Sequence, residues 1–322
     1  MELKQIINEI KGKQPNVKSV FFVGCGASKA ELYPGKYFLE ENARNLRVSL
    51  YTANEFNYAT PVSVDETAIV ITCSLGGNTP ETVKATSKAK KLGAHVIAVT
   101  HTPNSPITKD ADYVVEHGFE ASYSAKLEKM TKVLTLAVEI LNQFEGYEHY
   151  DKMVSGLEKI YGLIDQAVTT VVPQAKEFAE KYKDAPVIYL MSSGATHEVA
   201  YAFSICLMME MQWINSGSFH DGEFFHGPFE IVEKDVPFVL LMNEGKTRPM
   251  DSRALDFLQR FDALTTVVDA KDFGLSSIAS KEVIDYFNPM LITAVLRVYA
   301  EQIAILRNHP LTKRRYMWKI EY

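Results

Sequence analysis

One carboxylate stands alone in the run VAYAFSICLMMEMQ: Glu210 is the only charged residue between Val199 and Gln212. The apolar residues around it leave no broad polar face, the pattern of a helix buried all round. Burial without a partner disfavours the ionised form and lifts a glutamate from roughly 4.3 towards neutrality, where a proton-transfer base works best. Further on, His226 precedes Gly227-Pro228. Proline is at home in the first turn of a helix, so the imidazole is expected at a helix N-terminus, where the positive end of the macrodipole favours the neutral ring. Together the two make an acid/base pair. Each also has an ordinary reading, a buried glutamate satisfied by a backbone donor and a histidine that caps a helix. The wider sequence bears on the choice.

The elements that must position these residues read as strands alternating with helices. VFFVG (20–24) runs into Gly24 and Gly26 and is followed by a helix over 27–43. VSLYT (48–52), AIVITC (68–73) and HVIAVT (95–100) are further strands, with a helix over 79–92. This cadence predicts an α/β fold, a parallel sheet covered on both faces. Two long helical stretches, 122–144 and 149–183, separate the halves, and a boundary near Gly146 gives two domains, 1–146 and 147–322.

The second half repeats the first at an offset of 168 residues. Gly26 matches Gly194 and Ser28 matches Thr196; Asn54-Glu55-Phe56 matches Gly222-Glu223-Phe224; Gly77-Asn78-Thr79 matches Gly245-Lys246-Thr247. Three matches at one offset, each at a strand end, mark a duplication. The copies diverge in complementary ways. SLGGNTPET (74–82) is a Ser-, Gly- and Thr-rich turn opening a helix, which presents hydroxyls and unpaired N–H groups to an anion. Read alone, it is an ordinary turn with Thr79 as N-cap. In the second copy Glu244 stands in place of Gly76, and a carboxylate there repels phosphate. Conversely, Glu210 and His226 correspond to Asn42 and Tyr58, which cannot do the same proton chemistry. One copy keeps an anion loop and the other the acid/base pair, so a composite active site acting on a phosphorylated small molecule is expected.

Composition narrows the classes. The 322 residues, 47% of them hydrophobic, suffice for about two domains with a large core, and the net charge of -6 leaves no basic stripe for a nucleic-acid backbone. No leader is evident in MELKQIINEIKGK, and no stretch approaches the ~18 apolar residues of a membrane span, so a cytoplasmic protein without membrane partner is expected. Cys25, Cys73 and Cys206 are far apart, with no CxxC and no histidine at ligand spacing, so neither disulfide nor zinc is suggested. Cys25 and Cys73 read as small core residues at strand ends.

The doubled domain, the GCGAS turn, SLGGNTPET and GEFFHGPFEI resemble the sugar isomerase (SIS) domain family of phosphosugar enzymes. MEMQWI, VIDYF and HPLTKRRYMWKIEY extend the resemblance over essentially the whole chain, to the fructosamine-6-phosphate deglycases, which act on phosphorylated Amadori products such as fructoselysine 6-phosphate and 6-phosphofructose-aspartate. The resemblance implies two SIS domains, each a flavodoxin-like three-layer sandwich. It puts the sugar phosphate on Ser74, Gly76 and Thr79, with Ser28 and the amides around Gly26 and Gly77 helping. Gly76 departs from the serine common in the wider family, so one hydroxyl contact is lost or replaced by an amide. Glu210 matches the catalytic glutamate and His226 the histidine that opens and closes the sugar ring. In the wider family that histidine comes from the neighbouring subunit, which implies a homodimer or higher homo-oligomer with a shared active site. Lys319 matches a tail lysine that closes over the substrate in aminosugar synthases, though it reads equally as a solvated tail residue.

Two departures disfavour such a synthase: the sugar domain is expected to begin at Met1 without a glutaminase, and Leu207 stands where the synthases carry lysine. The chemistry then expected is deglycation. His226 assists ring opening, Glu210 removes a proton from carbon 1 to give an enaminol, reprotonation at carbon 2 gives an imine, and water releases glucose 6-phosphate and the amino acid. Proton transfer between adjacent carbons calls for no cofactor or metal. An aldose-ketose isomerase or deaminase of an amino sugar phosphate would use the same residues. A non-catalytic phosphosugar sensor would carry a helix-turn-helix segment first, for which the residues before the first strand leave no room. His220, Asp221, Glu223, Tyr33, Lys36, Arg314 and Arg315 lie near the motifs and read as exposed surface residues. They include both signs of charge, so the amino acid stays open.

Overall fold

The apolar runs of the first half become parallel strands: β1 (Ser19–Gly24), β2 (Arg47–Thr52), β3 (Ala68–Cys73) and β4 (His95–Thr100), joined by β5 (Tyr113–Glu116). The structure, a computed structural model, describes residues 2–321. Strand order is β2-β1-β3-β4-β5. β1 and β3 are buried at every residue, as a parallel sheet with both faces covered requires. β5 was not anticipated: it is four residues long and alternates buried with exposed positions, so it lacks the continuous apolar run of its neighbours. On one face Phe21, Phe56, Val70 and Val96 form a core cluster.

Five helices connect or cover these strands before the long sixth: α1 (Leu3–Lys13), α2 (Gly26–Ala30), α3 (Tyr33–Asn42), α4 (Ala53–Tyr58), α5 (Pro80–Lys91) and α6 (Tyr123–Phe144). α6 packs on α1 and α3. The single helix expected over 27–43 is in fact α2 and α3, because Pro34 cannot continue a helix and sits in the first turn of the second one. The run expected over 149–183 likewise divides into α7 (Tyr150–Thr170) and α8 (Val172–Tyr182), with Pro173 opening α8.

The chain divides into two compact units, Met1–Glu158 and Lys159–Tyr322, the division falling within the sequence of α7. In the second, β6 (Val187–Ser192), β7 (Asn215–His220), β8 (Pro237–Met242) and β9 (Leu264–Asp269) pair in parallel in the order β7-β6-β8-β9. The duplication is kept to the residue. β6 and β7 begin 168 residues after β1 and β2 (187 against 19, 215 against 47), and the pairing Phe21↔Val70 recurs as Tyr189↔Phe238. Gly26 and Gly194 even share a left-handed backbone, at φ 52 and 55. One residue is added before β9, which starts 169 after β4 (264 against 95).

Helix α9 (His197–Ala202) continues as a π-helical stretch, Phe203–Gln212; α10 (Arg248–Arg260) and α11 (Asn288–Leu306) follow. Against expectation, one described segment, Ile284–Leu306, is long and apolar enough to cross a membrane. Two-thirds of its most apolar stretch (67%) is buried inside the molecule, where α11 packs on α8, the setting of a core helix. Cys73 is buried at the end of β3, and burial pushes its thiol up to about 11.

Candidate active site

An order of β2-β1-β3 places a topological switch between β1 and β3, and open α/β sheets bind ligands outside the carboxyl ends of strands at that point. Two loops leave the first sheet there. After β1 come Gly26 and Ser28, the latter close enough to the Cys73 thiol to oppose slightly the effect of its burial. After β3 comes Ser74, 2% exposed, with its Oγ 2.9 Å from Thr79 Oγ1. Thr79 holds the N-cap position of α5 but makes no side-chain cap bond; its hydroxyl faces Ser74 instead. Gly77 turns at φ 66, donates to Ser74 O (3.1 Å) and accepts from Ile107 N (2.9 Å). A Cβ there would lie 1.9 Å from Ser105 Oγ, so only glycine fits. At Gly76 a Cβ would come 3.1 Å from Asn78 Oδ1, so a serine would need Asn78 to shift. Two facing hydroxyls at a helix start, beside first-turn amides with no intrahelical acceptor, form a cradle suited to a phosphate.

The corresponding turn of the second unit is filled by protein. Asp285 Oδ1 accepts from Lys246 N (2.8 Å), and Asn288 bonds both the amide (2.7 Å) and the carbonyl (3.1 Å) of Glu244. A Cβ at Gly245 would lie 2.1 Å from Asp285 Oδ1. The carboxylate of the VIDYF segment thus takes the place that an anion would occupy. Behind it lies a buried polar network. Asp251 accepts from the Asn243 amide (3.0 Å), from Asn243 Nδ2 (2.7 Å) and from Ser193 Oγ. Asp221, expected at the surface, is 3% exposed beside it. Among the described residues no donor faces the Asp221 oxygens, so the bond open to it is one it gives, protonated, to Asp251. Burial, then the Asp251 carboxylate, pushes Asp221 up to about 9.

Glu210 is not buried all round. In the π-helical stretch Phe203, Cys206, Met208 and Gln212 are buried, whereas Met209 is 39% exposed and the Glu210 side chain 23%. Nor is it unpartnered. Arg314 Nη2 lies 2.7 Å from its Oε1, so Arg314, expected at the surface, is instead 8% exposed. Burial still raises Glu210 above the ordinary carboxylate value, with the guanidinium pulling the other way. Arg314 is fixed by Nη1 donating to Leu311 O (2.7 Å) and Lys313 O (3.0 Å). Lys319 is exposed and donates to Arg314 O (2.7 Å), so here it holds the segment bearing the Glu210 partner. The π-helix ends at Trp213, left-handed at φ 57. Between it and the C-terminal segment opens a cavity of about 640 Å³ lined by Glu210, Trp213, Arg314, Arg315, Met317 and others. The sequence could not separate an apolar cavity wall from a core, nor foresee a partner so distant in the chain.

His226 departs from expectation. It ends a 3-10 turn, Phe224–His226, is exposed, and precedes a second turn of four residues, Pro228–Ile231. Pro228 opens only this short turn, so the helix N-terminus expected at the imidazole is not there. Among the described residues lining the Glu210 cavity His226 is absent, so that cavity of one chain does not hold both members of the expected pair.

The SIS domain profile matches residues 15–144. Fructosamine deglycase FrlB of Bacillus subtilis (strain 168) is 40% identical over 100% of this chain and 97% of its own. Fructoselysine 6-phosphate deglycase of Escherichia coli (strain K12) is 25% identical over 94% of this chain and 86% of its own. Among solved structures, a candidate phosphosugar isomerase of Salmonella typhimurium LT2 superposes with a TM-score of 0.96 at 43% identity, covering 99% of this chain and 96% of that one. With such likeness sustained from end to end, the chain belongs to the SIS-domain family that includes the Bacillus subtilis fructosamine deglycase.

Proposed function

We propose that the protein is a fructosamine-6-phosphate deglycase, splitting a phosphorylated fructose-amino acid into glucose 6-phosphate and the free amino acid. The observation that carries this reading is Glu210, a carboxylate raised by burial at the wall of a cavity, in a chain alike throughout to a fructosamine deglycase. Ser74 and Thr79, with Ser28 and the backbone around Gly26, Gly76 and Gly77, hold the sugar phosphate. His226, exposed on its turn, assists ring opening at the site of a neighbouring subunit, so the working form is a homodimer. Glu210 takes a proton from carbon 1, leaving an enaminol; protonation at carbon 2 gives the carbon 1 imine. Water adds to that imine, and the amine leaves as the carbon 1 aldehyde forms. The net reaction is hydrolysis of a C–N bond. Lys319 acts on the substrate side through the segment it fastens. A cytoplasmic location suits a substrate and product that are both sugar phosphates.

The test is a coupled dehydrogenase assay of glucose 6-phosphate release from a panel of phosphorylated fructose-amino acids, with His226→Asn in parallel. Release abolished in the variant supports the reading. Fructose 6-phosphate formed from glucosamine 6-phosphate, with silence across the panel, would move the protein to the isomerases.

A further inference from the structure

We propose that the cavity beside Glu210 is the subsite for the amino-acid part of the substrate, and that Arg315 holds the amino acid's carboxylate there. The inference rests on the deglycase reading, which brings the amine-bearing carbon to Glu210. At about 640 Å³ the cavity suits a small organic group. Met209, Ile214, Met317 and Ile320 give it apolar walls, and its charged lining residues are Glu210, Arg314 and Arg315.

These charges do not balance. Arg314 is committed to Glu210 and to two backbone carbonyls, so the pair is neutral and Arg315 is left over. Among the described residues Arg315 has no carboxylate partner. Its guanidinium lies over the Trp213 ring, 4.3 Å from the centroid, and Lys313 approaches the same ring at 5.1 Å. A guanidinium held over an indole face by cation–π attraction spends no N–H on another acceptor, and its N–H groups can match a carboxylate bidentately. Through Arg315 the cavity therefore offers one unanswered positive charge, and its described lining has no second carboxylate to receive an ammonium. In an amino acid joined through its α-amine, the carboxylate sits on the carbon next to the nitrogen, close to the carbon that gives up its proton. A grip on it would orient that carbon towards Glu210.

The full-length protein and Arg315→Gln are compared on 6-phosphofructosyl-glycine and 6-phosphofructosyl-methylamine, which differ by the carboxylate, by glucose 6-phosphate release. A charge-assisted pair predicts that wild type favours the glycine compound by about 10- to 100-fold in kcat/KM, mainly through KM. In Arg315→Gln that preference falls to within about threefold. A wild-type preference that survives the substitution, or no preference at all, overturns the assignment of Arg315 while leaving the deglycase reading in place. Release from neither compound contradicts the deglycase reading itself, and the inference with it.

Discussion

Glu210 is held between two opposing influences. Burial favours its protonated form and Arg314 its ionised form, and burial prevails. A base of raised pKa is a better proton acceptor provided that it is ionised at working pH. Activity should therefore fall as pH drops through that raised pKa, with the acid limb of kcat/KM above the ordinary glutamate value of about 4.3. Arg314→Met removes the opposing influence, so the limb should move to higher pH; a pH–rate profile whose limb stays put or moves down would contradict this role. The residue itself was legible, because one charge in a long apolar run is conspicuous. Its partner was not, since Arg314 joins it by a tertiary contact that no local spacing records. His226 was legible by motif but misplaced, because Gly-Pro here opens a four-residue turn and not a helix.

Loops at strand ends are where the two copies differ most plainly. The first keeps a hydroxyl-lined turn, and the second closes its own with Asp285 and Asn288. Gly77→Ala puts a Cβ on top of Ser105 Oγ at a positive φ, so a loss on the order of 2 kcal/mol in urea denaturation is expected, together with a raised KM. An unchanged midpoint would show that the turn tolerates a side chain. Asp221 gives a pH signature. Its folded pKa lies above its unfolded one, so the stability it contributes is full below about 3.8 and is lost as pH rises towards about 9. Asp221→Asn supplies a donor that needs no proton. It should flatten that dependence and, at pH 8, raise Tm by about 1–2 °C for a gain on the order of 1 kcal/mol. Calorimetry showing a lower Tm would mean that the pair is ionised and otherwise satisfied. Most strands were legible from their apolar runs, while β5 was too short and too alternating to stand out. Pro34 and Pro173 mark helix starts that the apolar pattern had run through.

Across the whole molecule, the register of the first three strands of each sheet repeats at 168 residues, so the duplication read from three short matches extends to strand pairing itself. What a single chain does not record is the assembly. If His226 serves a neighbouring subunit, Glu210→Gln and His226→Asn are each inactive, yet an equal mixture refolded together should regain about a quarter of wild-type activity, since half the dimers are mixed and each has one intact site. No recovery would place both residues in one subunit's site. The central claim concerns Glu210, and its most direct test is steady-state glucose 6-phosphate release from a phosphorylated fructose-amino acid by wild type and Glu210→Gln. The account predicts turnover by wild type and a loss of about 10²- to 10⁴-fold in kcat with KM little changed in the variant. A variant that turns over at the wild-type rate would show that another group takes the proton.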